Sequence, residues 1–320
     1  MAKVTICEMS PRDGMQVLNF GGGVHHEQRV RLIELLRSAR LPYVEVGSVV
    51  NYKRMPSMEG TIEILQQLRR DPRHPGQVAV LIPNLEKYKL CETIASVETV
   101  ALFVSAAEGY SVKNTKMSIQ DACKAAAEVA AAASKNGHRV RAHVSGSFRD
   151  LTPGNGETPA GDVRKVADLL IEAGCDLVAL ADTDGKATIR DMDRVLGHLH
   201  ETIGLNKIGV HLHDRYGLAV ANAQRAYDIG VRAFDAAVGG IGGNLAVLGG
   251  SFGNVATEEL AALFECQGIE TGLDSEKLLA AAEFVAELSA QVRQPMPPSK
   301  VLRDRLDQKQ VAMMAAANQA

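Results

Sequence analysis

Short runs of apolar, often β-branched residues recur along the first 265 positions, separated by longer stretches whose apolar residues return every three to four positions. The first pattern is that of strands covered on both faces, the second that of amphipathic helices. The strand segments are Val4–Met9, Tyr43–Gly47, Val78–Ile82, Val97–Val104, Val140–Val144, Leu177–Ala181, Ile208–His213 and Ala233–Val238. Between and after them the helical period covers Glu27–Ala39, Thr61–Arg70, Ser118–Asn136, Gly161–Ala173, Thr188–Ile203, Gly217–Ile229 and Val255–Glu265. Several of these open at Ser, Thr or Gly and close just before a Gly, as helix ends do. The helical pattern is weakest after the third strand. Eight alternating units over roughly 260 residues predict an α/β fold, a (β/α)8 TIM barrel with a C-terminal helical extension, although a doubly wound open sheet shows the same alternation. Residues 1–270 are expected to form the barrel domain and 271–320 the extension. The extension begins with a helix over Ser275–Arg293, breaks at Gln294-Pro-Met-Pro-Pro298 and ends in a weakly ordered Gln-, Ala- and Met-rich tail after Asp307.

Composition narrows the function classes. The 320 residues are 46% hydrophobic and carry a formal net charge of −3, so no basic excess exists to hold a nucleic acid or an anionic membrane. Aromatic residues make up 4% with no Trp, too few for a base-stacking platform. The five cysteines, Cys7, Cys91, Cys123, Cys175 and Cys266, lie far apart without a CxxC pair and are read as reduced thiols in a cytoplasmic protein. No leader pattern is visible at Met1, and no apolar run reaches the roughly eighteen residues of a membrane span.

The chemically informative residues fall where strands end, which in barrels is where βα loops build the site. After the first strand, Ser10-Pro-Arg-Asp-Gly-Met-Gln16 sets a cation, Arg12, beside a hard oxygen ligand, Asp13. The same residues also describe a surface turn with a solvated ion pair. The second strand, Tyr43-Val-Glu-Val-Gly47, holds one carboxylate, Glu45, among apolar neighbours. The seventh ends Gly209-Val-His-Leu-His-Asp214, and residues two apart share a face, so His211 and His213 converge as Val210 and Leu212 turn away. Two imidazoles on one face are part of a metal coordination sphere, which an Asp13 oxygen would extend. After the eighth strand a glycine-rich loop, Gly239 to Asn254, leads into the last barrel helix. Asn254 either caps that helix or offers a neutral oxygen to a divalent ion.

Other signals lead nowhere. No Walker loop or GxGxxG fingerprint is present, and Phe20-Gly-Gly-Gly23 lacks the required spacing. Gly249-Gly-Ser-Phe-Gly253 matches GxSxG by chance, since no strand runs directly into it.

Taken in order, Pro11-Arg-Asp-Gly-Met-Gln16, Val44-Glu-Val-Gly-Ser48, Phe103-Val-Ser-Ala-Ala-Glu108 with Lys113-Asn114, Ala181-Asp-Thr-Asp-Gly185, Val210-His-Leu-His-Asp-Arg-Tyr-Gly217 and Gly253-Asn-Val-Ala-Thr-Glu258 resemble the metal-dependent DRE-TIM lyases, 3-hydroxy-3-methylglutaryl-CoA lyase branch. The resemblance implies that Asp13, His211, His213 and Asn254 bind a divalent cation, magnesium or manganese. It implies that Arg12 stabilises an enolate oxygen, that Glu45 assists, and that His211 or an ordered water removes a proton. Gln16, Ser105, Lys113, Asn114, His143, Thr183 and Asn244 are then expected around a small-molecule substrate, an acyl-CoA, in a homo-oligomeric enzyme.

The sequence departs from that branch at one point. The branch carries a proton-transferring cysteine just behind a Gly-x-Gly-Gly run, whereas here Gly240-Ile-Gly-Gly243 is followed by Asn244, which cannot act as a general acid at neutral pH. Cys266 lies a helix later and is read as a core residue. His143, Tyr110 or water are the candidates to protonate the enolate. Besides carbon–carbon cleavage of a 3-hydroxyacyl thioester, the same residues suit a Claisen-type acyltransferase of the isopropylmalate or citramalate synthase kind, a metal-dependent aldolase on a hydroxy-oxo acid, or a binding barrel without turnover. Release of free thiol would mark the synthase, and release of pyruvate the aldolase. Chain length favours the lyase, since the synthases carry extra C-terminal domains.

Overall fold

A computed structural model describes residues 3–16, 26–70, 77–152, 154, 156–243, 253–291, 299 and 301. The eight apolar segments form eight strands: β1 (Thr5–Glu8), β2 (Tyr43–Ser48), β3 (Val78–Leu81), β4 (Thr99–Ser105), β5 (Arg139–Ser145), β6 (Leu177–Asp182), β7 (Ile208–Leu212) and β8 (Ala233–Ala236). Each lies parallel to the next, and β8 pairs with β1, so the sheet closes into a barrel. Period-two alternation divides the strand residues. Val44, Val46, Val78, Val80, Val140, Val144, Val210 and Phe234 join the core packed between sheet and helices, whereas Cys7, Met9, Tyr43 and Ala79 form a separate cluster within the barrel. Several remaining inward positions are polar, among them Glu45, Arg141, His143, His211 and Asp235, and they build the site.

The helices are α1 (His26–Ser38), α2 (Thr61–Gln67), α3 (Leu85–Tyr88), α4 (Glu108–Thr115), α5 (Ile119–Lys135), α6 (Ala160–Glu172), α7 (Ile189–Thr202), α8 (Ala219–Ile229), α9 (Thr257–Glu265) and α10 (Ser275–Gln291). The Ser118 hydroxyl caps α5 by accepting from the Asp121 amide, and a Thr188–Asp191 capping box starts α7. The weak pattern after β3 becomes the four-residue α3. The fourth connection, read as loop, contains α4. Its sequence, Glu-Gly-Tyr-Ser-Val-Lys-Asn-Thr, has no apolar stripe for a periodicity argument to find, and it ends at Lys116 in the left-handed region (φ 64°).

Cys266 is a correction to the sequence reading. It is exposed, because it occupies the C-cap of α9 rather than its buried face. The other four cysteines are buried, and all five are free thiols. Beyond the barrel, α10 packs against α1. The Pro-rich break, Phe20–Gly23, most of the GxSxG match and the tail lie outside the described residues. Among those residues no helix is long and apolar enough to cross a membrane.

One buried cation fixes the β2–α2 connection over the barrel mouth. Arg29 donates to the carbonyls of Glu59 (2.7 Å) and Val46 (3.3 Å) and to the Thr61 hydroxyl (3.1 Å). Burial lowers its pKa to about 10, still charged at neutral pH. Gly47 makes room for it, since a Cβ there would sit 2.7 Å from Arg29 Nη2.

Candidate metal centre and active site

At the C-terminal rim of the barrel, a cavity of about 290 Å³ is lined by Arg12, Asp13, Gln16, Asn114, Tyr110, His143, Ser145, Thr183, His211 and His213 on its polar side. The turn after β1 is a wide helical one, Ser10–Gly14, which brings Arg12 and Asp13 over the barrel. The Arg12 guanidinium donates through Nε to Glu45 Oε1 and through Nη1 to Asp13 Oδ1 (2.8 Å). Gln16 donates to the same Asp13 oxygen at 2.7 Å. Despite the cost of burial, Arg12 and the two histidines hold the Asp13 carboxyl well below the usual carboxylate range. Glu45 is depressed likewise by Arg12 and His143 and accepts from Tyr43 (2.7 Å).

His211 on β7 and His213 just past its end converge as the spacing requires, with Nε2 atoms 3.3 Å apart. His211 Nδ1 meets Asp235 Oδ2 at 3.1 Å, and His213 Nδ1 meets the Thr183 carbonyl at 3.1 Å. Both partners only accept, so in neutral rings the protons sit on Nδ1 and both Nε2 atoms expose lone pairs. Asp13 Oδ2 lies 3.6 Å from His213 Nε2. Asn254, bridged to His213 across neighbouring backbone, donates to Asp13 Oδ2 (2.8 Å) and to the Ile241 carbonyl (2.9 Å). Its Oδ1 is buried without a hydrogen-bond partner among the described residues. Asn254 does not cap α9, since Ala256 holds that position.

Lone pairs turned toward one another in a buried space repel unless a cation lies between them. A proton can serve. Burial opposes charging His213, but the Asp13 carboxylate outweighs it and raises the His213 pKa, whereas burial lowers that of His211. A divalent ion serves better: Asp13, His211 and His213 offer ligand atoms all within 4.8 Å of one another, a mixed imidazole and carboxylate set suited to first-row divalent ions. Their chemistry and the orphaned Asn254 oxygen fit such an ion.

Beneath this rim lies a second polar layer, of which the sequence reading singled out His143 but not Arg141 or Asp235. Arg141 on β5 pairs with Asp235 on β8 and lies over the Tyr43 ring, its guanidinium carbon 4.8 Å from the centroid. His143 stands between two carboxylates, Nε2 2.9 Å from Glu45 and Nδ1 3.5 Å from Asp235. Arg141 and Asp235 each sit among apolar residues in a strand, the signal that marked Glu45.

The other expected residues are placed unequally. Thr183 accepts from the Gly146 amide (2.9 Å) at the cavity wall, and Asn114 is an exposed residue at its edge. Ser105 is buried with its hydroxyl turned to the backbone of Ala107 (3.0 and 3.1 Å). Lys113 is exposed on α4, and Asn244 lies outside the described residues. Asp182, at the end of β6, accepts from the Lys186 and Ala187 amides, and burial pushes its carboxyl up to about 7.

A closed parallel barrel with a candidate divalent-metal centre at its C-terminal rim, beside an arginine, is the arrangement of the DRE-TIM metallolyases. Within that class, the family model described as HMGL-like matches residues 3–285. The chain belongs to this family. It is 36% identical over 286 residues to the cytoplasmic 3-hydroxy-3-methylglutaryl-CoA lyase of Danio rerio, covering 89% of this chain and 82% of that one. It is 34% identical over 287 residues to the mitochondrial hydroxymethylglutaryl-CoA lyase of Bos taurus, covering 89% and 85%. The crystal structure of hydroxymethylglutaryl-CoA lyase from Pseudomonas aeruginosa superposes with a TM-score of 0.87 at 31% identity, covering 96% and 98%.

Proposed function

We propose that this protein is a divalent-metal-dependent carbon–carbon lyase that cleaves a 3-hydroxy-3-substituted glutaryl-CoA thioester of the hydroxymethylglutaryl type. The observation that carries the reading is the meeting of Asp13, His211 and His213 within 4.8 Å, with Arg12 bonded to Asp13. Asp13, His211, His213 and Asn254 would hold magnesium or manganese. When bound, the cation lowers the pKa of the substrate's tertiary hydroxyl.

The reaction is a retro-aldol cleavage. The hydroxyl loses its proton, the electron pair left on its oxygen forms the C=O of a ketone, the C2–C3 bond breaks, and that bond's electron pair leaves as the enolate of the thioester. Arg12 faces the cavity with both carboxylate partners in place, always charged, and stabilises the enolate oxygen. Glu45 orients Arg12, and Tyr43 and His143 hold Glu45. With its Nδ1 engaged by Asp235, His211 would offer Nε2 to the metal rather than act as the base, and the hydroxyl proton would leave through water. Protonation of the enolate carbon falls to His143 or Tyr110, both on the cavity wall.

The relatives named above occupy two compartments. We place this chain in the cytoplasm, as its Danio rerio relative is named, and its unpaired cysteines suit a reducing compartment. The test is incubation of magnesium- or manganese-loaded protein with hydroxymethylglutaryl-CoA and 3-substituted homologues, read by mass spectrometry. Release of acetyl-CoA and the matching 3-oxo acid is expected, and intact thioesters with folded, metal-loaded protein would overturn the assignment.

A further inference from the structure

The cavity wall offers few groups that can hand a proton to carbon. Arg12 stays charged, Asp13 is ionised, and the Gln16 amide is no acid. His211 and His213 direct Nδ1 to Asp235 and to the Thr183 carbonyl and keep Nε2 for the candidate ion. His143 lines the wall too, but both its nitrogens face carboxylates of the layer beneath, Glu45 at 2.9 Å and Asp235 at 3.5 Å. A proton it gave to the cavity would have to leave one of those contacts. Ser48, Ser145 and Thr183 are aliphatic alcohols, too weak as acids. Among the described residues of the wall, the remaining acid is the phenol of Tyr110.

The fold holds this phenol on the side where a proton is needed. β4 stands three strands from β1 in one direction round the barrel and three from β7 in the other, so the first turn of α4 lies across the mouth from Asp13, His211 and His213. That turn is anchored twice. The Ser105 hydroxyl accepts from the Ala107 amide at 3.0 Å, and Gly109 lies so near the β5–α6 connection that a Cβ there would come within 2.3 Å of Thr152 Oγ1. Tyr110 itself is buried. When the C2–C3 bond breaks, the new ketone, whose oxygen was the hydroxyl at the metal cluster, covers the face of C2 from which it parted. The other face is turned to the opposite wall. In a cavity of about 290 Å³, small for a ligand pocket, that wall is close.

We propose that Tyr110 is the acid that protonates the enolate carbon: its O–H bond breaks as the new C–H bond forms, and the phenolate takes its proton back from water. This inference rests on the lyase reading and assigns the donor that reading leaves between two residues. The test is Tyr110→Phe, which keeps the ring, in metal-loaded protein. Cleavage of hydroxymethylglutaryl-CoA is assayed across pH. Exchange of the methyl hydrogens of acetyl-CoA in heavy water is followed by mass spectrometry, since the group that protonates this carbon also removes its proton in reverse and no C–C bond need break. Both rates are expected to fall roughly 100–10,000-fold, with metal content and acetyl-CoA affinity by calorimetry unchanged. The alkaline decline of the wild-type rate, where the phenol ionises, should be missing from the residual rate of the variant. Undiminished cleavage and exchange would give the proton to His143 or water and overturn the inference. A loss that comes with weaker acetyl-CoA or metal binding, or that keeps the alkaline decline, overturns it as well. Exchange by the wild type that Tyr110→Phe abolishes, without cleavage of any glutaryl-CoA thioester, overturns the lyase reading and leaves Tyr110 standing. Neither exchange nor cleavage by the wild type overturns both.

Discussion

At the scale of single residues, the site is a chain of buried charges in which each group holds the next. Arg12 is the link between Glu45 and Asp13. On the proposed mechanism, replacing it with Met would remove the enolate's counter-charge while Glu45 keeps Tyr43 and His143 as donors. Turnover is expected to fall by at least the order of 100–1,000-fold typical of a lost oxyanion donor, with metal content by mass spectrometry unchanged. Near-normal turnover would remove Arg12 from the mechanism. Asp235 lies one layer below the candidate metal site and fixes the His211 proton on Nδ1. Asp235→Asn should weaken metal binding on the order of 10–100-fold in a calorimetric titration. Unaltered affinity would mean that His211 orientation does not depend on Asp235. The variant should also be less stable, because Arg141 loses its buried partner.

At the scale of elements, the connection after β8 positions Asn254 against Asp13 through backbone that only glycine accepts. Gly242 has φ 111°, and a Cβ there would lie 2.4 Å from Asn254 Nδ2 and 3.0 Å from Asp13 Oδ2. Gly242→Ala should therefore lower metal affinity at least tenfold while far-UV circular dichroism stays that of the wild type. Wild-type metal binding would show that the loop yields and that Asn254 is not held by it. The strands were legible because β-branched runs buried on both faces stand out, and the His211–His213 pair was legible because two polar residues share one face of an apolar strand. Glu45 carried the same mark. Arg141 and Asp235 carried it too, but their pairing spans 94 positions and is fixed by barrel closure, which no local spacing encodes. Lys113 and Ser105 are absent from the cavity lining for the opposite reason. A motif names them, yet α4 directs the first outward and a backbone turn engages the second. Cys266 shows the limit of helix periodicity at an end, where a cap position leaves the buried stripe.

At the scale of the molecule, closure of the barrel and docking of the extension meet at two buried carboxyls. Glu8, from β1, accepts from the Ser10 and Val238 amides and the Thr257 hydroxyl, joining β1 to the segment after β8 and to α9. Glu258 on α9 accepts from the Gly239 amide and from the hydroxyl of Ser299, which lies beyond α10. We propose that this contact fastens the extension, at Ser299, onto the barrel of residues 1–270. Burial, with the nearby Glu8 charge adding to it, pushes the Glu258 carboxyl up from 4.5 to about 7. The folded chain thus holds this proton more tightly than the unfolded one. Below about pH 4.5 both states are protonated and the contribution to stability is complete; as pH rises toward 7 the unfolded state loses its proton first, and stability declines. A shift of this size amounts to on the order of 3 kcal/mol across that window. Glu258→Gln keeps an acceptor for Gly239 and Ser299 but cannot ionise, so it should flatten the loss of Tm between pH 5 and 7. With no Trp in the chain, calorimetry or circular dichroism is the readout. Parallel Tm profiles for the two proteins would show that Glu258 ionises no differently in the folded and unfolded states. Because the Ser299 hydroxyl donates to this carboxyl and favours its ionised form, Ser299→Ala should lower Tm most above pH 7, where the buried carboxylate has lost a donor, and less at acid pH; an equal loss at both would show that the hydroxyl does not act on the Glu258 charge.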